Sequence, residues 1–218
     1  GVMNTDNMTI SGETIDYGPC AFIDHYHPDT VFSSIDHGGR YSYKNQPAIA
    51  HWNLTMLAQA LLPLIHKKTE TAVEMAQEVI NLFPKYFSTY HNSGLARKLG
   101  ISKLQDTDGE LINSLFETMS NAKLDFTLTF RYLSDIADLK SSEEKIDKPP
   151  NIEKDLRNWL PRWLERLELE KIEASERQKN MYKVNPVFIP RNHLVEKAIK
   201  STTEDDDFSE FHGISRKC

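Results

Sequence analysis

The sequence predicts a mainly α-helical protein that begins with a small segment of loops and short β-strands. Residues 46–138 and 152–218 carry apolar side chains at the spacing of amphipathic helices, whereas residues 1–45 lack that period and are rich in Gly, Asp, Asn, His and Tyr. The composition is globular, with 39% hydrophobic and 27% charged residues among 218. A chain of this length can bury a core without disulfides or a structural metal, which agrees with its two cysteines.

The first predicted helices follow from proline and cap signals. Pro47 suits the first turn of a helix that continues through a largely apolar stretch to Ile65, with Pro63 as its kink or end. Thr69 is expected to cap a second amphipathic helix, and Pro84 to end or kink it.

The next segment contains one clear helix and one ambiguous stretch. Thr107 and Glu110 have the spacing of a capping box. The helix that they would begin has an apolar face made of Leu111, Ile112, Leu115, Phe116 and Met119. Residues 124–132 fit both a strand, by alternation, and a helix, by the spacing of Phe126, Phe130 and Leu133.

A polar stretch at 139–151, which includes Pro149-Pro150, is typical of a linker and separates the helical residues 46–138 from a C-terminal helical extension, 152–218. The extension is predicted to start with an amphipathic helix that is bent or restarted at Pro161. Its apolar face consists of Ile152, Leu156, Trp159, Leu160, Trp163, Leu164 and Leu167. Asn192 is expected to cap a last short helix that ends near Lys200, before a frayed acidic block. All three tryptophans, Trp52, Trp159 and Trp163, are interpreted as core anchors.

The charge balance excludes some classes of partner. Twenty-six basic residues against 32 acidic residues give a net charge of −6, which argues against nonspecific nucleic-acid binding and against an anionic membrane surface. The longest apolar stretch, Leu57–Ile65, is broken by Gln59 and Pro63, so no membrane span is expected.

The residue pair Asp6-Asn7 and the later Asp16, which precedes Tyr17-Gly18, suggest phosphoryl or nucleotidyl transfer. Such reactions need a carboxylate to orient or deprotonate the attacking hydroxyl, and oxygen ligands for Mg²⁺ on the phosphates. Adjacent side chains point in different directions, so Asp6 and Asn7 could serve the hydroxyl and the metal separately. The alternative is that Asp and Asn are only turn formers here. The Asp and His residues between Asp24 and His37 fit no zinc template and are interpreted as surface loop residues.

Several blocks of sequence together resemble the selenoprotein O (SelO, bacterial YdiU) family. The first block is long and specific, and the resemblance continues to about residue 200. The blocks are Gly1–Met8, Ile15–Pro19, Asp36 with Gly39–Tyr41, Asn45–Pro47, Trp52–Leu54, Asp125–Thr127, Phe130-Arg131, Trp159, Trp163, Asn185-Pro186 and Arg191-Asn192.

This resemblance implies a protein-kinase-like fold and a protein adenylyltransferase activity, in which AMP passes from ATP to Ser, Thr or Tyr hydroxyl groups of proteins. The chain would supply the C-lobe part of that fold without the N-lobe, with residues 1–45 as its catalytic and metal-binding loop segment and residues 124–132 as helix. By this resemblance Asp6 is the catalytic base, Asn7 and Asp16 are the metal ligands, and Asp16 also lies near the nucleotide. The metal would be Mg²⁺, with Mn²⁺ as the alternative. The partners would be ATP and substrate proteins, with no nucleic acid and no membrane, in the bacterial cytoplasm or in a eukaryotic mitochondrion.

The sequence departs from the family pattern in one important respect. The family's glycine-containing nucleotide loop, its lysine and its phosphate-contacting arginines have no counterpart in these 218 residues, so we expect a fragment with an incomplete ATP site and weak or no activity alone. Two alternatives remain: γ-phosphoryl transfer as in ordinary kinases, with the same three side chains, and an inactive binding or scaffold module. Cys218 is given no redox role, because the residues before it do not match the family's tail.

Overall fold

The computed structural model describes residues 1–13, 21–138 and 152–216, and groups the chain into two compact units. The N-terminal unit comprises Gly1–Ala21 and Pro28–Asn92, and the C-terminal unit comprises Phe22–His27 and Ser93–Cys218. The described residues form ten α-helices: α1 Gln46–Ile65, α2 Thr69–Ile80, α3 Phe83–Lys98, α4 Asp108–Asn121, α5 Phe126–Asp135, α6 Ile152–Leu156, α7 Leu160–Glu168, α8 Ala174–Tyr182, α9 Asn192–Asp205 and α10 Ser209–Ser215. The mainly helical prediction is confirmed. The predicted linker at 139–151 lies outside the described residues.

The short strands expected within residues 1–45 are absent from the described part of that segment. Two 3-10 helices, Thr5–Asn7 and Tyr43–Asn45, stand in the loops instead, and the β-pairing among the described residues is one isolated antiparallel bridge between His25 and Asp125. The prediction of strands was wrong because the backbone amides of this segment find hydrogen-bond acceptors within local turns. Asp36, for example, accepts hydrogen bonds from the amides of Arg40 and Tyr41 at 2.8 and 2.9 Å.

Proline marks helix starts more often than the sequence analysis expected. Pro47 lies in the first turn of α1, as predicted, and Pro63 lies within α1 two residues before its end. Pro84 was expected to end or kink α2, but α2 ends at Ile80 and Pro84 is the second residue of α3. A proline costs nothing there, because the first amides of a helix have no intrahelical acceptor. Thr69 is the first residue of α2 rather than its cap.

The capping box predicted at Thr107 and Glu110 does not form. Thr107 makes no side-chain cap, and Asp108 takes over the helix start by accepting a hydrogen bond from the amide of Gln105 at 2.8 Å. The predicted apolar face of α4 is confirmed, with Leu111, Leu115 and Met119 buried. The ambiguous stretch is helical, as the family resemblance implied: Asp125 caps α5 by accepting from the amide of Leu128 at 2.8 Å.

Two tryptophans anchor the core of the C-terminal unit. Trp163 is fully buried, Trp159 is nearly so, and their rings stack at 5.9 Å. Their indole nitrogens donate to the carbonyls of Leu99 and Leu111 at 3.0 and 2.7 Å. The predicted restart at Pro161 is confirmed, because α6 ends at Leu156 and Pro161 lies in the first turn of α7.

Trp52, by contrast, is not a core residue. It is 43% exposed, and the guanidinium of Arg40 lies 4.8 Å from its ring centroid. A cation over an indole face is stable at the surface, so the large apolar ring did not require burial.

The last predicted helix is longer than expected. α9 extends beyond Lys200 into the acidic block and ends at Asp205, and Asp206 follows it in the left-handed conformation with φ +54°. Asn192 is its first residue and Arg191 its cap.

One helical stretch, Tyr43–Ile65, is long and apolar enough to cross a membrane by length and composition, with 11% of its apolar window buried. Gln59 and Pro63 interrupt the apolar run within this stretch, but its mean hydropathy is still 1.3. Core helices of proteins without any membrane span pass the same test, so the criterion alone assigns no membrane contact.

A buried ion-pair network joins α4, α7 and the loop after α3. Arg166 contacts Asp108 at 2.7 Å and Glu170 at 2.8 Å, and the amide of Ser102 donates to Glu170 at 3.1 Å. Burial opposes ionisation of Glu170, but the hydrogen bonds from Ser102 and the charge of Arg166 outweigh it and hold the pKa of the carboxyl below its ordinary value.

The network makes a prediction for acid stability. Because the pKa of Glu170 is lowered by folding, its stabilisation is complete above its unfolded pKa of about 4.3 and is lost as the pH falls through the folded pKa. We expect Glu170→Gln to lower the Tm at neutral pH and to flatten the fall of Tm in acid. Thermal unfolding between neutral pH and pH of about 3 measures this, with Glu168→Gln as the control for removing one exposed charge. An unchanged acid slope in Glu170→Gln would contradict the assignment.

Two glycines provide a matched test of packing. Gly100 has φ +71°, and a Cβ there would lie 2.6 Å from Met181 Sδ and 2.9 Å from Arg177 Cδ. Gly94 lies inside α3, and a Cβ there would meet nothing within 4 Å. We expect Gly100→Ala to lower the free energy of unfolding by about 2 kcal/mol or more. Gly94→Ala should raise it by about 0.5–1 kcal/mol. Denaturant unfolding of both variants decides, and equal effects would refute the close packing at Gly100.

Candidate active site

Asp6 and Asn7 lie together on an exposed 3-10 turn of the N-terminal unit. The turn spans Thr5–Asn7, and the amide of Asn7 donates to the carbonyl of Asn4 at 3.0 Å. The side-chain Nδ2 of Asn7 donates to the carbonyl of Val2 at 2.9 Å. This bond uses the donor end of the amide and leaves Oδ1 available to a cation.

The carboxylate of Asp6 is exposed and has no hydrogen-bond or ion-pair partner among the described residues. A free carboxylate next to a polar turn can accept a proton from an incoming hydroxyl group. Asp6 and Asn7 thus present two neighbouring side-chain oxygens with different surroundings, and the roles predicted for them stay predictions.

Asn53 of α1 contacts the residues on either side of this turn. Asn53 is buried, and its Nδ2 donates to the carbonyl of Met3 at 2.9 Å and contacts Met8 Sδ at 2.7 Å. Met3 and Met8 flank the turn on both sides. Because residues 1–13 contain no α-helix or strand to hold them, this amide and that of Gln46, whose Nε2 donates to the carbonyl of Gly1 at 3.4 Å, connect them to α1.

Tyr41 holds the same loop from another side. Its hydroxyl donates to Oδ1 of Asn4, the residue that precedes the turn. Its own amide and that of Arg40 are bonded to the Asp36 carboxylate. A short chain of polar contacts thus runs from Asp36 through Tyr41 to the turn that carries Asp6.

The third predicted site residue, Asp16, lies outside the described residues. The structure therefore brings together Asp6 and Asn7 and does not test the role of Asp16. Within residues 1–13, 21–138 and 152–216, no three His, Cys, Asp or Glu side chains form a group that could hold a metal ion. Of the two predicted metal ligands the structure describes Asn7, whose Oδ1 makes no hydrogen bond to the described residues and is the kind of oxygen that a hard cation prefers.

The acidic and histidine residues between Asp24 and His37 have structural roles where the structure describes their contacts. Asp24 and Asp125 both contact Arg191, at 2.5 and 2.6 Å, and Asp29 contacts Lys44 at 2.5 Å. The hydrogen bond and charge of Asp125 raise the pKa of Arg191 despite its burial, and Asp24 adds to this effect. Their interpretation as loop residues rather than zinc ligands is consistent with these contacts.

Sequence reasoning missed the supporting residues Asn53, Tyr41 and Asn4. All three occur in or beside the blocks that carry the family resemblance, but without a role. The available signal for Asn53 was an asparagine within an otherwise apolar helix, and a buried amide of that kind needs a partner.

Comparison with known proteins gives one family for the whole chain. The sequence profile of the family described as protein adenylyltransferase SelO matches residues 1–218. The chain is 50% identical over 214 residues to a protein nucleotidyltransferase YdiU of Rhizobium etli (strain CIAT 652). The aligned region covers 98% of the chain and 43% of that relative. It is also 50% identical over 217 residues to the protein of that name from Bradyrhizobium diazoefficiens, with 98% and 43% covered. The chain thus spans less than half the length of these relatives.

Asn53 makes a prediction for the order of the turn. We expect Asn53→Ala to free the carbonyl of Met3 and to increase amide hydrogen exchange in residues 1–8, because the anchor of the loop is lost. The matched control is Thr55→Ala, which removes a hydrogen bond within α1, from Thr55 to the carbonyl of His51. Exchange in residues 1–8 that rises equally in both variants would show that Asn53 does not hold the loop.

Proposed function

The chain belongs to the family of protein adenylyltransferase SelO, and on that basis we propose that it carries catalytic residues for the transfer of AMP from ATP to Ser, Thr or Tyr hydroxyl groups of proteins. The observation that carries the proposal is the match of the family over residues 1–218, together with relatives named protein nucleotidyltransferase. The kinase-like C-lobe architecture and the assignment of residues 1–45 as its catalytic segment are parts of the same proposal. The mainly helical content supports the architecture.

Asp6 is proposed to act as the base. Its exposed carboxylate would take the proton of the attacking hydroxyl as the new bond from that oxygen to the α-phosphorus forms. The bond from the α-phosphorus to its bridging oxygen breaks, and pyrophosphate leaves with the electron pair. The free state of the Asp6 carboxylate supports this role, since no neighbouring cation competes for it among the described residues.

Asn7 and Asp16 are proposed to hold Mg²⁺, or Mn²⁺, through Oδ1 and a carboxylate oxygen. The metal would neutralise charge on the phosphates. The bond from Asn7 Nδ2 to the carbonyl of Val2 supports the role of Asn7, because it orients the amide with its oxygen unused. Asn53 and Tyr41 would be positioning residues that act through this turn.

The chain matches only part of the length of its relatives, and this affects the activity that we expect from the chain alone. At 43% of their length it lacks counterparts for more than half of their residues. We therefore propose weak or no transfer by the isolated 218 residues. ATP, substrate proteins and a cytoplasmic location belong to the proposal for the whole protein.

A labelling experiment tests the chemistry. The complete reading frame that contains this chain is incubated with Mg²⁺, a mixture of proteins, and ATP labelled at the α- or the γ-phosphorus. We expect transfer of the α-label and a loss of about 100-fold or more in Asp6→Asn, because that change removes the base but keeps the size of the side chain.

The control is Asp106→Asn, which removes the charge of another exposed aspartate, in the C-terminal unit. Transfer of the γ-label instead of the α-label would identify a kinase. Transfer of neither label would favour a binding or scaffold module, and full activity of Asp6→Asn would remove Asp6 from the mechanism.

A further inference from the structure

The guanidinium of Arg40 contacts two aromatic rings of the N-terminal unit. Its central carbon lies 4.8 Å from the ring centroid of Trp52 and 5.7 Å from that of Tyr41. Trp52 belongs to α1, whereas Tyr41 follows Arg40 directly in a segment without an α-helix. The guanidinium makes no ion pair with the described residues. Its contact with the indole therefore connects this segment to α1 by a cation–π interaction.

Residues 36–41, here named the Asp36 loop, are fixed by hydrogen bonds within the loop. The Asp36 carboxylate accepts from the amides of Arg40 and Tyr41 at 2.8 and 2.9 Å. The Asp36 carbonyl accepts from the amide of Gly39 at 3.2 Å, and Gly39 has φ +64°, which glycine adopts readily. The loop thus has a defined shape of its own, and its orientation on α1 depends on contacts outside it.

Two contacts connect the Asp36 loop with α1 and the residue before it. Asn45, which precedes α1, donates from Nδ2 to the carbonyl of Gly39 at 2.8 Å. The other contact is that of Arg40 with Trp52, which lies about two helical turns beyond Asn45. A loop held at one point can rotate about it, whereas a second point at this separation fixes its orientation. Loss of the Arg40 contact would therefore let the loop turn without detaching it.

The orientation of the Asp36 loop determines where the Tyr41 hydroxyl lies. This hydroxyl donates to Oδ1 of Asn4, the residue that directly precedes the turn with Asp6 and Asn7. The turn is exposed, and residues 1–13 contain no α-helix or strand, so the contacts of its neighbours determine its position. A rotation of the loop would withdraw the donor from Asn4 and loosen the turn.

The place of Trp52 in α1 suits this connection. Trp52 directly precedes Asn53, whose Nδ2 donates to the carbonyl of Met3 at 2.9 Å. Adjacent residues of one helix therefore contact the two segments that meet at Asn4. Asn53 contacts the segment that contains the turn, and Trp52 contacts the Asp36 loop through Arg40. Because a helix is stiff over one residue, α1 sets the position of both segments relative to each other.

We propose that Arg40 is a positioning residue for the base Asp6, because its contact with Trp52 keeps the Tyr41 hydroxyl on Asn4. This inference rests on the proposed function, in which Asp6 takes the proton of the attacking hydroxyl. Arg40 would act through Tyr41 and Asn4 rather than by contact with ATP or the acceptor protein.

The first measurement is amide hydrogen exchange of residues 1–8, in the protein made from the complete reading frame. An exposed cation–π contact changes an equilibrium about two- to fivefold, so Arg40→Gln should raise the exchange by about that factor. Arg40→Lys keeps a cation over the ring and should restore most of the protection. The control is Lys44→Gln, which removes another positive charge from an exposed ion pair with Asp29 and should exchange as the original protein does.

The second measurement is the rate of transfer of α-labelled AMP by the same proteins. Arg40→Gln should lower kcat about two- to fivefold and leave the KM for ATP unchanged, because the base loses orientation and the nucleotide loses no contact. Arg40→Lys should recover most of the rate. Tyr41→Phe removes the hydroxyl that reaches Asn4, so adding Arg40→Gln to it should cost no further activity.

Other outcomes overturn the inference. Unchanged exchange of residues 1–8 in Arg40→Gln would mean that Arg40 only covers the indole of Trp52, and an equal rise in Lys44→Gln would reduce the effect to lost charge. Additive losses in the double variant would exclude a route through Tyr41. A higher KM with unchanged kcat would make Arg40 a substrate-binding residue instead.

Failure of the proposed function gives a different result. The original protein would then transfer no α-label, which overturns the proposed function and this inference together. Normal transfer of the α-label with unchanged exchange in Arg40→Gln contradicts the inference alone.

Discussion

Backbone carbonyls at loops and helix ends are satisfied by side chains from distant parts of this sequence, and the described structure depends on that constraint. The carbonyls of Lys98 and Leu99, where α3 ends, accept from Asn185 Nδ2 at 2.8 Å and from Trp163 Nε1 at 3.0 Å. In the N-terminal unit, Asn53 does the same for Met3. A buried carbonyl without a donor costs about 1–3 kcal/mol, so each of these side chains fixes a segment that has little structure of its own.

Most of the helices could be predicted from sequence, although α3, α8 and α10 were not predicted as separate elements. The partners of their polar side chains could not be predicted. The faces of α4, α6 and α7 follow from apolar spacing, which is local. The capping box at Thr107 and Glu110 had an equally clear local signal, yet it does not form. Glu110 pairs instead with Arg162, and Asp108, the first residue of the helix, pairs with Arg166, 58 residues further on. Contacts between residues so far apart in the chain produce no periodic pattern in the sequence. For the same reason the sequence did not distinguish the exposed Trp52 from the buried Trp163.

The candidate site divides in the same way. Asp6 and Asn7 are adjacent, so the sequence alone could predict that they lie together, and their residue types pointed to hydroxyl activation and metal binding. Their surroundings depend on Asn53 and Tyr41, which lie 34–47 residues away from them and had no assigned role. A buried amide inside an apolar helix was the one available sign, because a polar group is retained at such a position only when it is paired.

Two buried arginines of the C-terminal unit differ in how their charge is paired. Arg166 contacts two carboxylates, and the hydrogen bond and charge of Asp108 raise its pKa despite burial. Arg177 is equally buried, but among the described residues its guanidinium donates hydrogen bonds only to carbonyls. Burial lowers its pKa, and the charge of Glu170 acts in the opposite direction. Removing a guanidinium from water without a counter-ion is costly, and packing against Gly100 keeps Arg177 in place despite that cost. Packing therefore holds Arg177 in place, whereas charge pairing holds Arg166, and the pair of Arg166 with Asp108 connects α7 to α4.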